Sequence, residues 1–345
     1  KLFPMPALVL FKCGEALTLA VIDRRLHKRD TSKDVLEKVT LIRDVSSVSP
    51  HRAHVEILFD LSLPQLVEKY EAHNFVELHE AWRQTLDSSE LNKRFYQEMA
   101  HWYYWALGKV KFPKGAGKSE EVRNPLSLIR LLTRLIFVWF IKEKGLVPDQ
   151  LFDRRKLEGV VKFGKPSETI YYKAILQNLF FATLNTEMGD DREWRNQPKK
   201  GGLASDYMVH NKYRYADYFV NPAQSLELFA NIPFLNGGLF ECLDKSEEER
   251  VDGFSERPDN ELRLPDELFF STEHAEDLSK AYGDERHDHD KVRGLIDILQ
   301  RYKFTVNENT PIEEEVALDP ELLGKVFENL LAEYNPETGT TARKQ

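Results

Sequence analysis

The N-terminal part of the chain carries apolar residues in the pattern of strands. Residues 7–24, ALVLFKCGEALTLAVIDR, predict two strands joined at Lys12-Cys13-Gly14-Glu15, because both arms are rich in valine, leucine and isoleucine and Gly14 permits the positive φ of a hairpin turn. Residues 37–45, EKVTLIRDV, alternate in the same way and predict a third strand. We therefore expect a small sheet within residues 1–60.

From about residue 50 onward the spacing of apolar positions becomes helical. Residues 90–110, ELNKRFYQEMAHWYYWALGKV, place Phe95, Met99, Trp102 and Ala106 on one face, as an amphipathic helix requires. The most apolar stretch, residues 126–141, is short for a bilayer crossing and contains two arginines, so we expect a buried helix and no membrane partner. Residues 167–185 predict a second central helix, with Ser167 as its N-cap.

The last stretch predicts one more helix followed by a linker. Asp319 suits an N-cap and Pro320 suits the first helical position, and an apolar face continues until Asn335-Pro336. The run PETGTTARKQ that follows has linker composition. We expect it to lead into a further domain, and a first residue other than methionine fits a segment of a longer protein.

Composition narrows the class of protein. The 345 residues are 41% hydrophobic and carry a net charge of −9, which opposes non-specific nucleic-acid binding by the whole chain but permits a local basic patch. The two cysteines, Cys13 and Cys242, are far apart and lack metal-ligand spacing, which favours a reducing, cytoplasmic location over a disulfide framework.

The sequence motifs of common enzymes are missing. There is no GxxxxGK[ST], no GxGxxG after a strand, no HExxH, no GxSxG and no CxxC, so we assign no catalytic residue. The run HDHD could bind a metal through His287 and His289, but such charged runs are usually solvated loops, and we assign no metal ligand.

A cluster of four cations, Arg24, Arg25, Lys28 and Arg29, follows the second predicted strand. Cations at this density could contact phosphate oxygens, and we take them as the candidate DNA-binding residues. The alternative is a solvated turn whose charges pair with aspartates nearby, and composition alone favours it. Those aspartates are Asp23, Asp30 and Asp34.

Several stretches resemble one family of proteins. Residues 304–345, FTVNENTPIEEEVALDPELLGKVFENLLAEYNPETGTTARKQ, resemble the helical segment that precedes the adenine-specific methyltransferase domain in type IIG-like fused restriction-modification enzymes. FPMPALVLFKCGEALTLAVIDRRLHKRD, LIRLLTRLIFVWFIKEKGLV, YYKAILQNLFFATLNTE and FLNGGLFECLD resemble the same family, so the resemblance covers nearly the whole chain.

The resemblance implies a bacterial parent enzyme that binds double-stranded DNA, methylates adenine with S-adenosylmethionine and cuts DNA with a magnesium-dependent nuclease. Neither the NPPY-type adenine motif nor the glycine-rich cofactor motif is present, so no cofactor is expected in this fragment. For the nuclease, Asp23, Glu37 and Lys38 are loose candidates only, because Glu37 directly adjoins Lys38.

The resulting prediction is a mainly α-helical (α+β) chain. Residues 1–60 form a small N-terminal β-sheet portion, the tail of a nuclease-associated domain, and residues 61–345 form a helical connector bundle before the missing methyltransferase domain. The predicted function is a non-catalytic, DNA-engaging scaffold of the parent enzyme, inactive alone. The alternatives are a magnesium-dependent nuclease module and a helical protein-interaction domain without nucleic-acid contact.

Overall fold

The computed structural model has strands near the N-terminus and helices through much of the remainder. It describes residues 6–30, 33–114, 119–189, 192–194, 213–235, 237–244, 250–254, 261–305, 310, 312–318, 324, 334–335 and 340–341. The strands, in chain order, are β1 Ala7–Cys13, β2 Ala16–Leu26, β3 Asp34–Ser46, β4 His274–Glu276, β5 Asp290–Val292, β6 Glu313–Glu315, β7 Tyr334–Asn335 and β8 Thr340–Thr341.

Helices of very different length follow the first three strands. They are α1 Arg52–Asp60, α2 Leu63–Tyr70, α3 Phe75–Thr85, α4 Ser88–Leu107, α5 Glu120–Glu143, α6 Arg154–Leu157, α7 Pro222–Ser225, α8 Glu227–Ala230, α9 Glu267–Phe270, α10 Ser279–Tyr282 and α11 Leu295–Gln300. A π-helix spans Tyr172–Leu184. The chain is therefore an α+β protein with more helix than strand and a small sheet, which confirms the predicted class at that level.

The chain forms two compact units. The first comprises Lys1–Gln97 with Ile298–Lys325, and the second comprises Glu98–Asp297 with Val326–Gln345. The change from strands to helices lies between β3 and α1, close to where the sequence places it. The domain boundary at residue 60 and the connector role of the helices stay predictions.

The first unit is built on a four-stranded sheet in the order β1-β2-β3-β6. β1 and β2 pair antiparallel around a turn in which Gly14 has a φ of +59°, and β2 and β3 also pair antiparallel. Leu66 of α2 and Ala81 of α3 form a buried cluster with Ala72 of the connection between the two helices. The Asn74 side chain accepts hydrogen bonds from two backbone N–H groups of the first turn of α3, which explains where that helix begins.

The second unit has its core around α5 and the π-helix. Helix α5 is long and apolar enough to cross a membrane, but 67% of its most apolar window is buried within the fold, as expected for a core helix. Trp102 and Trp139 are fully buried there, and the indole N–H of Trp102 donates to the Leu268 carbonyl over 2.6 Å. Satisfying that polar atom lets a large ring occupy the core.

The structure corrects two predicted elements. Ser167 does not cap the second central helix, because the carboxylate of Asp266 accepts hydrogen bonds from the Ile170 and Tyr171 N–H groups at its start. Within residues 304–345, which the resemblance describes as helical, Glu313–Glu315 form a strand that pairs parallel with β3. Apart from Gly324, which is helical, the predicted helix before Asn335 lies mainly outside the described residues, as does most of the linker.

Candidate nucleic-acid interface

The four candidate cations lie together at one end of the β2–β3 hairpin. Arg24 and Arg25 are near the end of β2, and Lys28 and Arg29 are in the turn that follows. All four are exposed. We call the described residues 23–30 and 33–38, which contain them, the basic ribbon.

The basic ribbon has only two strands in the part of the sheet that the structure describes. β1 pairs with β2 as far as Ile22, and β6 pairs with β3 from Val39 onward. Between these limits Arg24 pairs with Leu36 and Arg25 with Val35. Successive side chains of a strand point to opposite faces, so the two arginines present cations on both faces of the ribbon.

The turn of the basic ribbon is fixed by His27. Its Nδ1 atom accepts hydrogen bonds from the N–H groups of Arg29, at 3.2 Å, and Asp30, at 3.1 Å. The His27 N–H donates to the Lys33 carbonyl over 2.9 Å. These bonds give the backbone of residues 27–30, which carries Lys28 and Arg29, a defined shape.

Two of the three aspartates near the four cations, Asp23 and Asp30, bind other partners. Asp23 is buried, with His79 Nε2 at 2.8 Å and Arg83 Nε at 3.7 Å from its carboxylate, so it is turned toward α3. Asp30 lies 3.3 Å from the Lys33 ammonium. Among the described residues, none of the four cations has an ion-pair partner, although their assignment to DNA stays a prediction.

A magnesium site does not fit the loose nuclease candidates. Asp23 is bound by His79 and Arg83, Lys38 forms an ion pair with Glu314, and Glu37 is exposed on the strand beside it. In the described part of the chain, Asp23 and Glu37 do not join a third ligand group close enough to share an ion. None of the three loose candidates thus belongs to a described cluster of three possible metal ligands that could hold a magnesium ion.

One cavity in the second unit does not have the features of an S-adenosylmethionine site. A half-open cavity of about 400 Å³ in the second unit is lined by Pro148, Gln150, Val160, Asn221 and Glu227, among others. The residues that line it come from short helices and loops and include no glycine-rich turn between a strand and a helix, which a dinucleotide-like cofactor needs.

The histidine run contains one side chain with unexpected neighbours. His289 is exposed, whereas His287 lies 2.6 Å from Asp290 and beside His101 of α4. From the sequence we considered His287 together with His289 and assigned neither to a metal; the structure instead groups His287 with His101 and Asp290. No local sequence pattern marks His101 as a possible metal ligand. It is 186 positions from His287 and is a single polar residue in a stretch rich in aromatic residues.

Comparison with known proteins finds one informative relative. The chain is 30% identical over 214 residues to a protein of Methanocaldococcus jannaschii named as a candidate type II restriction enzyme and methyltransferase. The match covers 62% of this chain but 12% of that protein. No family model and no solved structure matches the chain. The chain is thus similar to part of a restriction-modification protein and spans about an eighth of its length.

Proposed function

We propose that this chain is a non-catalytic, DNA-engaging segment of a restriction-modification enzyme, and that the basic ribbon contacts double-stranded DNA. The observation that carries the proposal is the set of four exposed cations without ion-pair partners in the described structure. Cations that no carboxylate neutralises keep their full attraction for phosphate.

The shape of the basic ribbon suits a duplex. A two-stranded antiparallel ribbon is narrow enough to enter the major groove. Arg24 and Arg25 on opposite faces would meet the phosphates that border the groove, and Lys28 and Arg29 would extend from its tip. Such contacts position a protein on DNA without reading its sequence, which suits a scaffold.

The parent enzyme is proposed from the similarity to the Methanocaldococcus jannaschii protein together with the type IIG-like resemblance. In this proposal adenine methylation with S-adenosylmethionine and magnesium-dependent cleavage belong to other parts of a cytoplasmic parent. The chain would position those parts, including a methyltransferase domain, on the duplex. The engagement of Asp23 by His79 and Arg83 supports placing cleavage elsewhere.

Binding to a short duplex tests the basic ribbon. The variant Lys28→Gln/Arg29→Gln should bind more weakly, and the slope of log affinity against log salt should fall by about 0.9 for each phosphate that the variant no longer neutralises. Fluorescence anisotropy of labelled DNA across a salt series measures both quantities. Arg24→Gln/Arg25→Gln should behave in the same way.

The matched control is Lys144→Gln/Arg155→Gln, which removes the same charge from exposed positions at the end of α5 and in α6. We expect its salt slope to equal that of the unaltered chain. Equal weakening by the control and the ribbon variant would mean that only total charge matters, and the ribbon would lose its assigned role.

A protein-interaction role is the second candidate, because the first unit exposes large apolar side chains. Leu58 and Phe59 of α1 and Leu63 of α2 are each more than 40% exposed. Apolar side chains grouped in this way often contact another protein surface. If the chain shows no salt-dependent affinity for duplex DNA, this function replaces the first.

A further inference from the structure

Two histidines and an aspartate from separate segments converge in the second unit. His101 belongs to α4, His287 ends a short 3₁₀ turn at Glu285–His287, and Asp290 begins β5. One ligand atom from each lies within 4.8 Å of the other two. His101 is buried and the other two are partly buried, so the group opens to solvent beside His287.

The distances within this group suit a shared ion. His287 Nδ1 is 2.6 Å from Asp290 Oδ2, a hydrogen bond, but His101 Nε2 is 3.7 Å from the same oxygen, which is too long for one. Two ligands on one tetrahedral ion, with bonds of about 2.0–2.1 Å, would lie roughly 3.3 Å apart. An ion between the three groups therefore needs these two distances to change by less than about 1 Å.

The surroundings hold the three side chains in place. The His287 ring stacks on Tyr282, with ring centroids 3.9 Å apart and an angle of 16° between the planes. His101 Nδ1 lies 3.3 Å from the Lys291 carbonyl, which leaves Nε2 directed at Asp290. A backbone carbonyl on the second ring nitrogen is the arrangement that usually orients a metal-binding histidine.

The hairpin that carries Asp290 is itself fastened to α4. Glu276 of β4 pairs with Asp290 of β5, and the indole N–H of Trp105 donates to Glu276 over 2.9 Å. Trp105 and His101 lie one turn apart on α4. Because α4, which carries His101, and β5, which carries Asp290, are already held together, binding an ion would require little rearrangement.

We propose that His101, His287 and Asp290 bind a divalent transition-metal ion, with zinc preferred, and that the ion ties the β4–β5 hairpin to α4. Two imidazoles and one carboxylate are borderline ligands, which suit zinc better than the all-oxygen preference of magnesium or calcium. The partly exposed side at His287 leaves room for a water as the fourth ligand. The site goes beyond the proposed DNA contact, because it belongs to the other unit and uses none of the four cations.

Zinc titration of the full, untagged chain after treatment with a chelator tests the proposal. Isothermal titration calorimetry should show one ion per chain. His287→Gln and Asp290→Asn should each lower the affinity for zinc at least about tenfold, because even loss of a residue that only hydrogen-bonds to a metal ligand has an effect of this size. Magnesium should not bind to the site, and cobalt should give visible absorption bands of a low-coordinate complex.

The matched control is His289→Gln, which removes an exposed histidine two positions from His287. It should leave zinc affinity unchanged. At the same zinc concentration, zinc should raise the thermal unfolding midpoint of the unaltered chain and of this control by more than it raises that of His287→Gln, each compared with its own metal-free midpoint. Absence of stoichiometric zinc binding, or equal loss in His289→Gln and His287→Gln, overturns the proposal.

Discussion

At the scale of the residue, Asp23 shows how one side chain changes the charge of its surroundings. It directly precedes Arg24 in sequence, so the sequence alone suggests that the negative charge of Asp23 neutralises the positive charge of Arg24. A register shift between Asp23 and Arg24 separates them, and the Asp23 carboxylate is bound by His79. The negative charge is thus used inside the first unit, while the positive charge of Arg24 stays at the surface.

Arg134 is a second residue whose partners decide its effect. Its guanidinium is almost completely buried and donates to Asp252 at 2.6 Å and to the Leu239 and Glu241 carbonyls. Burial by itself lowers the pKa of Arg134, but the charge and hydrogen bond of Asp252 outweigh it and the net pKa is raised. The guanidinium therefore stays charged across the pH range in which proteins fold.

Replacing Arg134 by alanine should strongly destabilise the second unit. We expect Arg134→Ala to lower the free energy of unfolding by about 3–5 kcal/mol, because it leaves the buried Asp252 carboxylate without its cation. Arg155→Ala, on the exposed α6, should change it by less than about 0.5 kcal/mol. Urea titrations followed by tryptophan fluorescence measure both, and similar values for the two variants would contradict the assigned role of the pair.

At the scale of the element, the start of the π-helix depends on a distant carboxylate. Asp266 Oδ1 accepts hydrogen bonds from the Ile170 and Tyr171 N–H groups at 2.9 and 2.8 Å. Burial raises the pKa of Asp266 to about 6 from 3.8, although the two backbone donors lower it. The folded chain therefore holds a proton on Asp266 more tightly than the unfolded chain does.

This shift predicts a pH dependence of stability. The contribution of Asp266 is fully present below its unfolded pKa near 3.8 and is lost as the pH rises through about 6. Between these limits the unaltered chain should lose on the order of 3 kcal/mol relative to Asp266→Asn, whose amide oxygen can accept the same two bonds. Urea titrations at several pH values measure the difference. If the free energy of unfolding depended on pH in the same way in both chains, the raised pKa of Asp266 would be contradicted.

The sequence predicts those elements whose causes are local. Apolar alternation and Gly14 place the first hairpin, and the structure has strands and a positive φ there. β6 consists of three glutamates, so no pattern of apolar residues predicts it. Its pairing with β3 is supported instead by ion pairs that Lys38 and Arg43 of β3 form with its glutamates. Asp266 is 96 positions from the amide of Ile170, so no local pattern could replace Ser167 as the predicted cap.

The same reasoning applies to the candidate sites. The four cations of the basic ribbon are close in sequence, so the sequence alone identifies them. That Asp23 does not pair with them depends on α3, whose His79 and Arg83 bind its carboxylate. The group of His101, His287 and Asp290 needs a helix and a hairpin that lie far apart in the chain. Local periodicity cannot bring such segments together, because their approach is decided by packing of the whole unit.

At the scale of the whole molecule, a net charge of −9 coexists with a basic ribbon. Excess negative charge disfavours indiscriminate binding to nucleic acid, so contact with DNA would depend on the orientation of the ribbon. In the proposed scaffold role, the basic ribbon would hold a larger enzyme on DNA in one orientation; the chain matches 12% of the restriction-modification protein it is similar to.

The scaffold proposal predicts that the chain alone does not cut DNA. Supercoiled plasmid incubated with the chain and magnesium or manganese should remain supercoiled on an agarose gel, because Asp23 is engaged by His79 and Arg83 and belongs to no described group of three possible metal ligands. Cleavage that a chelator abolishes and that Asp23→Asn also removes would establish a nuclease module instead.

The hairpin turn has a practical consequence for spectroscopy. Cys13 is exposed at the end of β1, whereas burial, with help from Asp244 and Asp252, raises the pKa of the Cys242 thiol far above neutral pH. Thiol-directed dyes and spin labels react with thiolates, so they will attach at Cys13 and leave Cys242 unmodified. The native chain therefore accepts a single reporter on the sheet that carries the ribbon, at the opposite end of β2 from Arg24, without any engineered cysteine.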